Sequence, residues 1–376
     1  MRFVVAIDSF KGSLSSIQAG NAVKEAVLRL NPDADVLVKP LADGGEGTVD
    51  AFCAGSDYDP VEITVSGPLL RPVLAKYAIS KDKTTAVMEM ASAAGITLIP
   101  AEMRNPLKTT TYGVGEMIKD AIVRGCRRFI VGIGGSVTND GGVGMLMALG
   151  FDFLDQQGRP IGFGAEGLEN LRHISGEHVL PELSECSFSI ACDVTNPLCG
   201  EYGASAVYGP QKGATEHMVR DMDTWLSQYA DLARGITAKA RKDYPGAGAA
   251  GGLGFAFLSF TNAVLRSGID IVLEETNLET EIRSADIVVT GEGRIDRQTA
   301  MGKAPIGVAK LAKKYGKQVI AFAGCVTDDA EVCNDCGIDA YFPVVRGVTT
   351  LEEALDTKNA YKNLTATAYQ VFRLLI

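Results

Sequence analysis

The chain has 376 residues, more than the roughly 250 to 300 at which a single hydrophobic core stops growing, so two domains are expected. Apolar residues make up 46% and charged residues 22% of it, ordinary usage for a folded soluble enzyme that excludes a disordered chain. A net charge of −10, with no Lys/Arg block and no basic stripe interleaved with aromatics, argues against a nucleic-acid partner.

The first residues, MRFVVAIDSF, carry one basic side chain and too short an apolar run before Asp8 for a secretory signal. No later run approaches the length of a membrane span, so a cytoplasmic protein without a membrane partner is expected.

The segment RFVVAID reads as a strand, followed by a Ser/Gly loop and a helix from about Ser15 to Leu30. Ser15-x-x-Gln18 has the form of a capping box, which sets the start of that helix. A second strand, ADVLVKPLAD, leads through ADGGEG into a short helix ending near Phe52, and VEITVSG closes the block. The middle of the chain has its own strands, TAVMEM, RFIVGIG and FSIACDV, with helices over Val114–Arg124 and His217–Arg234. The first rhythm then returns in ADIVVTGEGRID, KQVIAFAG and DAYFPVV, separated by helical stretches Ala304–Tyr315 and Asp328–Cys336.

Alternation of strand and helix with near-continuous Val/Ile/Ala/Phe strands predicts α/β architecture built on buried parallel sheets. The expected organisation is a Rossmann-like domain made from residues 1–66 and 284–376, with a second α/β domain, residues 67–283, inserted. Open parallel sheets bind ligands at the carboxyl ends of their strands. The polar loops all follow strands, so an active site in a cleft between the two domains is expected.

Among these loops GIGGSVTNDGGVG, Gly132 to Gly144, has six glycines between the strand RFIV and the helical MLMALG. Glycines in that position let backbone amides converge on an anion, with the partial positive charge of a helix start behind them. Gly134, Gly135, Ser136, Asn139, Asp140, Gly141 and Gly142 are therefore candidate nucleotide-binding residues. The loop has neither the Walker A pattern nor an in-register dinucleotide fingerprint.

LADGGEGTVDAF sets Asp43 and Glu46 around paired glycines. They are either magnesium ligands or, respectively, an Asx turn and a helix-start acid. In TGEGRIDRQTAMGK, Arg294 offers a fork for a carboxylate or phosphate, Lys303 a point charge for the nucleotide, and Asp296 a candidate base. Asp193, at the end of FSIACD, reads as a buried strand-end carboxylate that either caps backbone or does chemistry, and Lys212 follows in a Gly/Pro-rich turn. PGAGAAGGLGFAF has no polar side chain before Ser259 and is read as a flexible linker or close helix packing. Eight scattered cysteines read as reduced thiols; Cys333-x-x-Cys336 lacks a second ligand pair. The three histidines are not at metal spacing and read as surface or capping residues.

Taken together, AIDSFKGSLSS, LADGGEGT, NPLKTTTYGVGE, GIGGSVTNDGGVGM, CDVTNPLCG, VYGPQKGA, PGAGAAGGLG and TGEGRIDRQT resemble, in this order, the blocks of the bacterial glycerate kinase family that lacks a P-loop. The resemblance implies two α/β domains and transfer of the γ-phosphoryl of ATP to D-glycerate, generally at the 2-hydroxyl, with Mg²⁺. Ile7 and Arg297 stand where many relatives have Pro and Ser. Chemistry then suggests Ser9 and Arg294 for glycerate, Lys11 for charge at the phosphoryl group, and Asp193 or Asp296 as proton acceptor. The alternatives are transfer to the 3-hydroxyl, a kinase of another small hydroxy acid, or a sensor that binds a small acid without turnover.

Overall fold

The structure is a computed structural model and describes residues 1–42, 44–55 and 57–376. Among the described residues the strands are β1 (Arg2–Val5), β2 (Asp35–Val38), β3 (Tyr58–Ser66), β4 (Pro72–Ser80), β5 (Thr85–Glu89), β6 (Arg128–Gly132), β7 (Asp152–Leu154), β8 (His173–Ser175), β9 (Ser187–Ala191), β10 (Ala263–Arg266), β11 (Ile287–Ile295), β12 (Gln318–Val326) and β13 (Ala340–Pro343). The chain is α/β and divides into two compact units.

One unit comprises Met1–Asp43, Asp50–Ser56 and Gly268–Ile376. Its five-stranded sheet has the order β13-β12-β11-β1-β2, every pairing parallel. Phe3, Val5, Val289 and Phe322 are buried in its core beside Val23 and Val27 of the helix Ser16–Leu30. Ser15 caps that helix reciprocally with Gln18, as the capping box requires.

The other unit comprises Gly44–Val49 and Asp57–Ser267. Its six-stranded sheet has the order β10-β9-β6-β5-β4-β3, parallel from β10 to β5 and antiparallel across β4 and β3. A small antiparallel hairpin, β7 and β8, lies outside it.

The sequence boundaries at 67 and 283 are corrected at both ends. VEITVSG belongs to β3, which pairs with β4 in register from Tyr58↔Ser80 to Ser66↔Pro72 and so joins the second sheet. A nine-residue ladder outweighs adjacency in sequence. The helices Gly268–Glu275 and Leu278–Arg283 lie in the first unit, because Ile269 packs close to Gly307 of the helix Ala304–Lys314.

Of the two readings of PGAGAAGGLGFAF, close packing holds and a flexible linker does not. Ala250, Gly251 and Gly252 take left-handed angles within the segment Ala249–Phe260, and an added Cβ at Gly251 would lie 2.1 Å from the Thr138 carbonyl. Ala250 holds its left-handed angle at a cost of about 1–2 kcal/mol, which glycine avoids at the next two positions. Burial of Leu253, Phe255 and Phe257, all 0% exposed, contributes about 1.5–3 kcal/mol apiece and outweighs that cost.

Candidate functional site

In the first unit the chain moves from β1 to β2 on one side and from β11 through β12 to β13 on the other. The strand order therefore reverses between β1 and β11, the switch point at which parallel sheets open a crevice at their carboxyl ends. The amides of Ala6 and Asp8 continue the ladder onto Val289 O and Gly291 O. An added Cβ at Gly293 would lie 3.5 Å from Phe10 Cα and from Lys11 N. The Asp8–Lys11 loop and the end of β11 are thus neighbours. Asp8 is buried and its Oδ1 accepts from the Ser9 amide at 2.7 Å; Ser9 is half-buried and Lys11 exposed.

Asp296 is half-buried and well occupied. Its Oδ1 accepts from the amides of Gln298 at 2.9 Å and Thr299 at 3.2 Å, while Oδ2 lies 3.2 Å from Arg294 Nε. It closes the turn that follows β11 and orients an arginine whose side chain remains 61% exposed. Beside it, Glu292 accepts from the Thr299 hydroxyl at 2.7 Å and lies 3.7 Å from Lys303 Nζ. Lys303 stands at the N-cap of the helix Ala304–Lys314.

In the second unit Glu89, Gly132, Ala191 and Arg266 face one another across β5, β6, β9 and β10. The loops that follow these strands leave from one edge of the sheet. The glycine loop after β6 has two distinct halves. Gly134 and Gly135 are exposed, whereas residues 136–144 are buried. Among the described residues, no acceptor takes the amides of Gly134, Gly135 or Ser136.

The buried half is filled by protein. An added Cβ would meet the Tyr229 ring at 2.9 Å from Gly141, Ala256 Cβ at 2.4 Å from Gly142 and Thr110 Oγ1 at 2.1 Å from Gly144. The Gly141 amide donates to Gly251 O at 2.9 Å, and the Gly142 and Gly144 amides donate to Asp140. Asn139 Nδ2 donates to Ser205 Oγ at 2.8 Å. Asn139, Asp140, Gly141 and Gly142, expected at a nucleotide, are thus buried; Asp140 and the amides of Gly141 and Gly142 are engaged inside the fold, while Asn139 Oδ1 has no partner among the described residues. Most of these glycines make room for neighbouring helices.

Asp140, 1% exposed, accepts from the amides of Thr111, Gly142 and Gly144 and from the hydroxyls of Thr110 and Thr111. Burial raises its pKa, and these bonds oppose the rise. Lys212, also 1% exposed, donates from Nζ to Ser136 Oγ at 2.8 Å and Thr138 O at 2.6 Å. Burial pushes its ammonium down to about 7, opposed by the charge of Asp140.

The segment Gly44–Val49 rests on the same sheet edge. Gly44 O is 2.0 Å from an added Cβ at Gly132, and the Val49 amide donates to Glu89 at 2.9 Å. Glu46 is exposed there; Asp43 lies outside the described residues. Among the described residues no three His, Cys, Asp or Glu side chains gather into a group able to hold a metal ion. Asp193 is exposed and stands two residues beyond β9, not buried at the strand end. The eight cysteines are free thiols and the three histidines are exposed.

Reading the sequence missed Glu292, Glu89 and the burial of Lys212. Glu292 sits inside a motif already singled out, but nothing local marks which of its polar residues turn inward. Lys212 shows only as a lysine between Gly209-Pro210 and Gly213, a pattern usually solvated.

Residues 3–376 match the family model described as the glycerate kinase family. The chain is 48% identical over 375 residues to a glycerate kinase of Haemophilus influenzae, covering 100% of this chain and 99% of that protein. It is 48% identical over 364 residues to the glycerate 2-kinase of Escherichia coli K12, covering 97% and 95%. A crystal structure from Salmonella typhimurium LT2, assigned as glycerate kinase 2, is similar with a TM-score of 0.91 at 47% identity, covering 100% of this chain and 98% of that one.

Proposed function

Because the chain belongs to the glycerate kinase family, we propose that it is a glycerate kinase that transfers the γ-phosphoryl group of ATP to the 2-hydroxyl of D-glycerate. The Gly134–Ser136 turn carries this reading. Its amides have no acceptor among the described residues, Gly134 and Gly135 are exposed, and the turn follows a central parallel strand, which suits a phosphate group.

Phosphoryl transfer asks mainly for in-line positioning and for cancellation of negative charge. Arg294 presents its guanidinium to the glycerate carboxylate, held from behind by Asp296, with Ser9 as a hydroxyl partner. Lys11 and Lys303 balance charge on the phosphoryl oxygens. The 2-hydroxyl oxygen forms the new P–O bond as the bond to the departing ADP oxygen breaks, and the hydroxyl proton passes to a carboxylate, Asp193 or Asp296. Magnesium enters with ATP as part of that substrate, and Glu46 is the described carboxylate proposed to face it.

A coupled assay of ADP release with and without D-glycerate tests the reaction, and phosphorus NMR of the product tests the position. ATP turnover that ignores glycerate, or a 3-phosphoglycerate product, would each replace part of this reading. Asp193→Asn and Asp296→Asn should not both keep normal turnover; two fully active variants remove both residues from the proton-accepting role.

A further inference from the structure

The Gly134–Ser136 turn is backed by a buried cation that the reaction as described does not use. Lys212 ends the short 3-10 turn Pro210–Lys212, and its Nζ is bonded to Ser136 Oγ and Thr138 O. Removing an ammonium from water costs several kcal/mol, so lysine is a poor choice where the requirement is only to fill space. Ser136 Oγ accepts from Lys212, which directs its own proton elsewhere. Among the described residues no acceptor takes that proton, and none takes the amides of Gly134, Gly135 and Ser136. The three amides and the Ser136 hydroxyl together supply the donors that an anion requires.

We propose that Lys212 is a positioning residue for the phosphoryl group: it holds the Ser136 oxygen as an acceptor, so that the Ser136 hydroxyl donates to a phosphate oxygen bound at the Gly134–Ser136 amides. This rests on the reading of that turn as the phosphoryl-binding element. Lys212 acts through Ser136 and does not touch the ligand. Among the described residues Asp140 is the charged group whose field acts on Lys212, and it favours the ammonium against burial.

The test compares wild type, Lys212→Met, Ser136→Ala and the double variant for thermal melting, kcat, and the KM of MgATP and of D-glycerate. Each single change should raise the MgATP KM about tenfold, the scale of one hydrogen bond to a charged group, and leave the glycerate KM within about twofold. The double variant should be no worse than the poorer single one. Multiplicative effects, or a Lys212→Met enzyme with normal MgATP KM beside an impaired Ser136→Ala enzyme, overturn the role of Lys212 and leave the turn in place. If Ser136→Ala and Gly134→Ala both bind MgATP normally, the turn does not hold the phosphoryl group and the parent reading fails instead. Should Lys212→Met not fold, pH decides. The wild-type MgATP KM should rise through about pH 7 as Lys212 loses its proton, and Ser136→Ala in the same buffers should lose that limb; parallel profiles overturn the proposal.

Discussion

The carboxylate of Asp140 accepts both hydrogen bonds that Thr111 can donate, from its amide at 2.8 Å and its hydroxyl at 2.9 Å. One side chain thereby fastens the glycine loop to the start of the helix Tyr112–Val123. The Thr111 oxygen accepts in turn from the Met145 amide at 3.0 Å, so a second helix start joins the same node.

Asp140→Ala strands the amides of Thr111, Gly142 and Gly144 in a buried site. An orphaned buried donor costs about 1–3 kcal/mol, so a loss of at least ~3 kcal/mol in urea unfolding is expected. An unchanged midpoint would contradict the role given to this carboxylate.

Gly134 and Gly142 should answer differently to the same substitution. At Gly142, with φ of 74°, a methyl group meets Ala256 Cβ at 2.4 Å; at Gly134 the nearest atom is Gly45 Cα at 3.8 Å. Gly142→Ala is expected to destabilise by about 2 kcal/mol or more through strain and overpacking. Gly134→Ala should melt like wild type and raise the MgATP KM. A reversal of the two melting results would mean that the loop is packed otherwise.

Arg294→Ala separates substrate binding from stability. The guanidinium side of its ion pair with Asp296 is solvated, and Asp296 keeps its bonds to the Gln298 and Thr299 amides without it, so a loss of only about 0–1 kcal/mol is expected and the melting temperature should hardly move. Glycerate KM should rise at least about tenfold, with MgATP KM within about twofold. Unchanged glycerate KM removes Arg294 from the substrate site.

His178 Nδ1 lies 2.7 Å from Asp152 Oδ2, and this bond raises the imidazole pKa above its usual 6.5. A group whose pKa is higher in the folded state stabilises fully below the unfolded value, and that contribution disappears as pH rises through the folded one. NMR titration of the three imidazoles should find His178 above 6.5, returning toward the ordinary value in Asp152→Asn. A His178 curve that Asp152→Asn leaves in place would dismiss the pairing.

Much of the architecture was legible in local patterns. The Ser15–Gln18 cap, the apolar strands and the glycine punctuation act over a few residues, and each leaves a signal in composition and spacing. Pairing was less legible, because β3 reads equally well as the end of one sheet or the start of another until its full ladder with β4 is seen.

The candidate site divides the same way. That strand-end loops rich in glycine, Arg294 and Asp296 would carry the polar chemistry follows from residue type and position along the chain. Which glycines stay open, and which merely admit Tyr229 or Ala256, depends on partners about ninety to a hundred and fifteen residues away. The burial of Lys212 against Ser136, 76 positions apart, arises in the same manner. Desolvation and close packing are set by neighbours in space, and only the folded chain brings those neighbours together.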